Sequence, residues 1–286
     1  MKMTVTLLTT LMLISPALAA NTPDPNAPQA DAAVAAAKKK LTVAHIEISG
    51  GYPEGAGAPG LFSEVVETLA NALQRMDKAS RDDDLEGVIL HINGPSIGWA
   101  KLNELRTGIQ KMRQKGRKVY AWMESGSTKD YLLATACDEI ILPESGMLMM
   151  PGLRAEVSFY KNLFDMLSIQ PQMLRVGEFK SAAEPYSRSE MSPAFREEME
   201  AILDDYYRQI VEMIAQSRKL TPDQVKGVID TGLHSATDAK KLGLIDRVGY
   251  EDSITEVIKG DRKDAEVKFA KGYGKKKLDT DFSGIT

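Results

Sequence analysis

The sequence holds a single cysteine, Cys137, in 286 residues, so no disulfide can form within the chain. Histidine is almost as scarce: His45, His91 and His234 show no metal-ligand spacing, and neither a metal nor another cofactor is expected. There is no Gly-x-Ser-x-Gly elbow, no His-Glu-x-x-His pair and no phosphate loop, which leaves the common hydrolase and nucleotide motifs unrepresented. An excess of one charge is missing too. Lys plus Arg number 36 against 40 for Asp plus Glu, and the net charge of −4 gives no electrostatic reason for a nucleic-acid partner.

What is present is ordinary for a globular protein, with 43% hydrophobic and 27% charged residues, enough for one or two cored domains. Lys2, an apolar run from Val5 to Ile14, Pro16 and the small-residue sequence Ala17-Leu18-Ala19 read as a secretory signal over residues 1–19, with cleavage after Ala19. That run is about half of the ~20 residues that span a bilayer; the alternative is a buried helix of the fold. Export leaves Cys137 unpaired in an oxidising compartment, so it is expected to be buried and inert among Ala134, Thr135 and Ala136. Residues 20–40, rich in Pro and Ala and ending in Lys38-Lys39-Lys40, read as a disordered linker.

From Leu41 the pattern alternates. Leu41 to Ile48 is strand-like; Phe62, Val65, Val66, Leu69, Leu73 and Met76 lie on one helical face; Gly87 to Ile92 is again strand-like. Leu102, Leu105, Ile109 and Met112 mark a second helix closed by Gly116. Lys118 to Met123, a short helix from about Tyr131 to Ala136, and Glu139 to Leu142 follow. Strands and helices in this order predict parallel βαβ units. The second half reads as helical. Ser192-Pro193 opens the longest helix, whose stripe of Met199, Ile202, Leu203, Tyr206, Ile210, Met213 and Ile214 is expected to be core. Thr221-Pro222-Asp223-Gln224 is a capping box, Ser235 with Asp238 opens a helix ending at Leu242-Gly243, and Val267 to Ala270 is strand-like.

The one chemical candidate is Lys180, within Arg175-Val176-Gly177-Glu178-Phe179-Lys180-Ser181-Ala182-Ala183-Glu184-Pro185-Tyr186. A lysine acts as a general base only when its pKa falls from ~10.4 toward ~7–8, through burial or a neighbouring positive charge. Phe179, Ala182 and Ala183 are expected to supply an apolar wall. By itself the residue reads as a solvated surface lysine, and its immediate neighbours alone do not overturn that reading.

This segment, with Met191-Ser192-Pro193 and the later Asp238-Ala239-Lys240-Lys241-Leu242-Gly243-Leu244-Ile245-Asp246, resembles the signal peptide peptidase A (protease IV) family from about Leu41 to Gly260. It is similar in detail to the amino-terminal half of the two-domain members, whose catalytic lysine lies in a Gly-x-Tyr-Lys-Ser-Ala-x-Glu-Pro context matched by Gly177 through Pro185. The resemblance implies an α/β fold, a crotonase/Clp-protease-like spiral of βαβ units with a helical second half, over residues 41–260. It also implies a Ser-Lys peptidase, exported and peripheral to the membrane of the periplasm or cell envelope, that degrades cleaved signal peptides or hydrophobic peptides, with Lys180 as catalytic base.

The chain departs from the family where single-domain members carry their serine in Ser-Gly-Gly-Tyr-Tyr: Thr128 stands at that position, beside Ser127, and Lys129-Asp130 replaces the glycines. The family's oxyanion turn, Ser-Pro-Gly-Gly, is Asn93-Gly94-Pro95-Ser96-Ile97-Gly98, in which Gly98 is expected to keep a donor. The chain thus reads as the lysine donor of a dyad whose serine comes from a second copy or a second domain. Residues 261–286 read as a tail strand and linker toward that missing domain, the chain being a fragment or a truncated frame. Two alternatives stay open: a non-catalytic scaffold or peptide-binding domain, and an acyl-CoA enzyme of the crotonase type, which fits export poorly.

Overall fold

The computed structural model describes residues 40–55 and 67–275. Apart from Lys40, the segments read as signal peptide and linker lie outside them, as do Phe62, Val65 and Val66. In chain order the elements are β1 (Lys40–Ser49), α1 (Leu69–Arg81), β2 (Leu85–Asn93), α2 (Trp99–Gln114), β3 (Lys118–Trp122), β4 (Gly126–Ser127), α3 (Thr128–Ala134), β5 (Glu139–Leu142) and β6 (Met147–Met149). The second half holds α4 (Lys161–Met166), a 3₁₀ turn (Ser181–Ala183), α5 (Glu184–Ser187), α6 (Pro193–Arg218), α7 (Pro222–Thr231), β7 (Leu233–Ser235), α8 (Ala236–Lys241), β8 (Arg247–Val248), α9 (Glu251–Lys259) and β9 (Glu266–Lys271).

The main sheet has the order β8-β5-β3-β2-β1-β9 and every pairing in it is parallel. A smaller sheet, β4-β6-β7, takes a short strand from the chain after β3 and again after β5, so successive windings build two sheets at once. This is the α/β spiral that the resemblance implies, built from the parallel βαβ units that the alternation predicts. The sheet is buried on both faces, as parallel sheets are. Ala44, Ile46, Leu90, Val119 and Ala121 pack against α1 and α2 through Met76, Leu102, Leu105, Ile109 and Met112. Val43, Ile89, Tyr120 and Ile141 form a second layer with Ile254 and Ile258 of α9.

Polar ties fasten the helical half to this core. The buried Tyr131 hydroxyl donates to Leu244 O at 2.7 Å. Both oxygens of Asp246 accept from Arg218 at 2.9 Å, and Oδ2 also accepts from the Ile140 amide at 2.8 Å. Asp246, part of the resemblance, therefore joins the end of α6 to β5. Cys137 is buried and burial pushes its thiol pKa up, which suits an inert residue.

Two expectations need correction. The short helix begins at Thr128, three residues before Tyr131, because Ser127 and Asp130 cap it. The stripe on α6 is core only in part: Ile210 and Ile214 are buried, Met199 and Leu203 are half-buried, and Ile202 is exposed. Among the described residues no helix is long and apolar enough to cross a membrane.

Candidate active site

The loops that carry the candidate chemistry leave the carboxyl ends of the parallel strands, where α/β sheets bind ligands. After β2 comes the turn Asn93 to Gly98, with Gly94 at φ +55° and Gly98 as the extended N-cap of α2. Its Ser96 amide donates to Gly50 O at 2.8 Å, whereas the Gly98 amide makes no hydrogen bond among the described residues.

After β3 the chain turns into α3. The Ser127 amide and hydroxyl both donate to Asp130 Oδ2, each at 2.8 Å. That hydroxyl therefore donates its proton to the Asp130 cap and not to Lys180. Thr128 opens the first turn of α3 and lines a small cleft with Met150, Pro151 and Tyr207; Lys180 does not line it. Lys129 reaches across to the other turn and donates to Ile97 O at 2.9 Å. A side chain thus occupies the ground that the family's glycines leave open for substrate.

Lys180 stands on an arm, residues 151–192, that runs from β6 to α6. Gly177, at φ +98°, makes the turn before it, a conformation that favours glycine. The Lys180 amide donates to Gly177 O at 3.4 Å, and the Ser181 hydroxyl donates to Glu198 Oε2 at 2.8 Å. The arm is clamped by Glu184, which is 1% exposed and accepts from the Ser192 amide at 2.9 Å and the Ser192 hydroxyl at 2.7 Å. Arg175 and Arg188 add ion pairs to it at 3.2 and 3.8 Å. Burial pushes the Glu184 carboxyl up, but the Ser192 and Arg175 hydrogen bonds and the Arg188 charge outweigh it and hold the group below its usual range. Tyr186 stacks on Tyr160 and Phe164 and closes the far side.

The motif around Lys180 is therefore architecture: Gly177, Ser181, Glu184 and Ser192 all fix backbone, and Lys180 itself makes no side-chain hydrogen bond or ion pair among the described residues. The expected apolar wall is absent in the single chain, since Lys180, Phe179 and Ala182 are all exposed. The Glu184 to Ser192 clamp was not foreseen, although Glu184-Pro185 and Ser192-Pro193 mark both of its ends. Among the described residues no cluster of His, Cys, Asp and Glu could hold a metal ion.

The description "Peptidase family S49" matches residues 111–267. The chain is 29% identical over 223 residues to "Serine protease SPPA, chloroplastic" of Arabidopsis thaliana, covering 76% of this chain and 33% of that protein. It is 24% identical over 237 residues to "Protease 4" of Salmonella typhi, covering 81% and 37%. The chain thus spans about a third of the length of these two relatives. Among solved structures, a point mutant of the 1510-N membrane-bound stomatin-specific protease aligns at 14% identity and TM-score 0.47, over 82% of this chain and 98% of that one. An enoyl-CoA hydratase/isomerase family member aligns at 15% identity and TM-score 0.42, over 68% and 66%. The family match covers the α3 elbow, the Lys180 arm and α6 together, and on it this chain belongs to peptidase family S49.

Proposed function

We propose that this chain is the lysine-bearing part of an exported serine peptidase that cleaves signal peptides or other short hydrophobic peptides with a Ser-Lys dyad. The observation that carries the reading is the contrast between two hydroxyl and amine sites. Among the described residues Lys180 has no side-chain partner on its clamped arm, while the chain's own elbow hydroxyl is tied to Asp130. Lys180, as neutral amine, takes the proton of a serine Oγ as that oxygen attacks the peptide carbonyl, and returns it to the leaving amine. The serine comes from a second copy or a second domain. On the same arm as Lys180 the side chains of Leu163, Met166, Met173, Leu174 and Val176 are exposed. Exposed apolar side chains gathered on one segment suit a surface that another protein layer covers, and a layer that also covers Lys180 desolvates its ammonium and favours the amine. Export, cleavage after Ala19 and peripheral attachment to the membrane belong to the same reading; amino-terminal sequencing of envelope protein should start at Ala20.

In the assembled enzyme Lys180→Ala should reduce peptide turnover ~10²–10⁴-fold, as loss of a general base does, and Lys180→Arg should be no better. The chain alone should not be labelled by a fluorophosphonate. Labelling that disappears on Ser127→Ala or Thr128→Ala would overturn the division of labour, and turnover surviving Lys180→Ala would favour the second reading. That reading is a non-catalytic, peptide-binding domain; the Lys129 to Ile97 contact across the elbow supports it.

A further inference from the structure

We infer that residues 151–159, at the start of the arm, pair antiparallel with the same residues of a second copy of this chain, across a two-fold axis at Ala155. The inference goes beyond the proposed function and does not depend on the dyad. The segment continues β6, both edges of which are paired, one with β4 and the other with β7. The Met150 amide still donates to Gly232 O at 2.7 Å, but beyond it residues 151–159 make no backbone hydrogen bond among the described residues. From Arg154 to Tyr160 exposed and half-buried residues alternate strictly, which is the period of an extended strand. Arg154 bridges to Glu156 at 2.6 Å, as residues two apart on one strand face do. An extended run with open backbone edges, and no proline after Pro151, is a template for another strand.

The side chains choose the register. The alternation sets Arg154, Glu156 and Ser158 on one face and Leu153, Ala155 and Val157 on the other. Residues directly opposite in an antiparallel pair share a face, where unlike charges stabilise and like charges repel. An axis at Ala155 sets Arg154 against Glu156 of the second copy twice over, and Leu153 against Val157 twice over. Moved to Arg154, the axis would oppose two arginines; moved to Glu156, two glutamates. A slip of one residue puts the charged face of one copy against the apolar face of the other. Parallel pairing in register would stack Arg154 on Arg154.

The same pattern selects the partner. A foreign peptide could also pair with a bare strand edge, but this segment carries one charge of each sign, placed evenly about a small residue. That arrangement complements itself and favours no charge in an unrelated peptide. Ala155 at the axis lets two backbones approach closely, and self-complementary two-fold contacts are the commonest in closed homo-oligomers. The Arg154 to Glu156 pair within one chain leaves room for the cross-chain pairs, since a guanidinium and a carboxylate each bond more than one partner. Pairing would also cover Leu153, which the single chain leaves exposed.

The test is self-association of the full chain, read by sedimentation equilibrium and by oxidative cross-linking. Directly opposed residues of an antiparallel pair lie about 4.5–5.5 Å apart at Cα, within the ~4.4–6.8 Å that a disulfide spans. Ala155→Cys should therefore give a covalent dimer on oxidation, whereas the unsubstituted chain, with its buried Cys137, should not. Arg154→Glu and Glu156→Arg, both at exposed positions, should each weaken association on the order of tenfold at low salt. An equimolar mixture of these two variants should recover it, because unlike chains oppose Glu to Arg at both places. An ion pair acting only within one chain would not be rescued by mixing. A chain that stays monomeric at every concentration, an assembly in which Ala155→Cys does not cross-link to itself, or a mixture that fails to recover association overturns this inference. Each of these leaves the Ser-Lys reading standing, which fails separately if turnover survives Lys180→Ala.

Discussion

The sheet and the arm are built on opposite terms. In the sheet, Ala44, Ile46, Leu90 and Ala121 have no exposed surface and owe their positions to burial. On the arm, Leu174 is fully exposed and Met166 is 84% exposed, while the most buried residue of the segment is a carboxylate, Glu184. One region is held by apolar packing with polar groups outside; the other is held by a polar clamp with apolar groups outside. A segment organised in that inverted way keeps a fixed shape without consuming its hydrophobic surface, which stays available for another protein layer. That is what a lysine donor to a shared site requires.

The comparison breaks if the two regions respond alike to truncation. Leu90→Ala in the sheet should lower the unfolding free energy by ~2–5 kcal/mol, since it removes a fully enclosed side chain, with denaturant titration as the measurement. Leu174→Ala on the arm should change it by less than ~0.5 kcal/mol in the isolated chain. A Leu174→Ala chain destabilised as much as Leu90→Ala would mean that the arm's apolar surface is already buried in solution.

A smaller effect tests the clamp. Glu184→Gln keeps shape but removes the charge and sets an NH2 group against donors on one side, at about 1–3 kcal/mol confined to the arm. Amide exchange at Ser192 should quicken on the order of tenfold, with the midpoint of global unfolding unmoved. Acid should do the same. The Glu184 carboxyl is held below its ordinary 4.5 in the folded chain, so the clamp's contribution is complete above that value and is lost as pH falls through the folded value. Cleavage of the arm by an acid-active protease should rise over that interval in the native chain and be flat in Glu184→Gln. An arm that stays closed in acid would place the clamp elsewhere.

What the sequence made legible divides along the same line. β2, α2, β3 and β5 could be read from periodicity because each buries a face, and α6, α7 and α8 from Ser192, Thr221 and Ser235, whose side chains all accept from an amide three residues on. The short strands β4, β6 and β7 left no such trace, since two or three residues are too few for a period. On α6 the periodicity from Met199 to Ile214 was real, but among the described residues Ile210 and Ile214 are buried while Ile202 stays exposed. Lys180 was found by its context, because the constraint at that site lies in Gly177, Ser181 and Glu184 around it.

The smallest expected effect decides what the elbow is. If Ser127 is a cap, Ser127→Ala removes the hydrogen bond its hydroxyl donates to Asp130 and should cost about 0.5–2 kcal/mol of stability, with Ser127→Asn largely restoring it through its side-chain amide donor and Ser127→Asp not, because it sets a second carboxylate against Asp130. If Ser127 is a nucleophile, no such donor can replace it, and Asn and Asp would be as inactive as Ala. Stability and peptide turnover of the assembled protein, measured on the same three variants, therefore separate the two roles. The cap predicts that stability follows the donor while turnover does not move. This outcome would leave the arm as the only part of the chain that touches the chemistry, and the difference between arm and sheet would extend from packing to function.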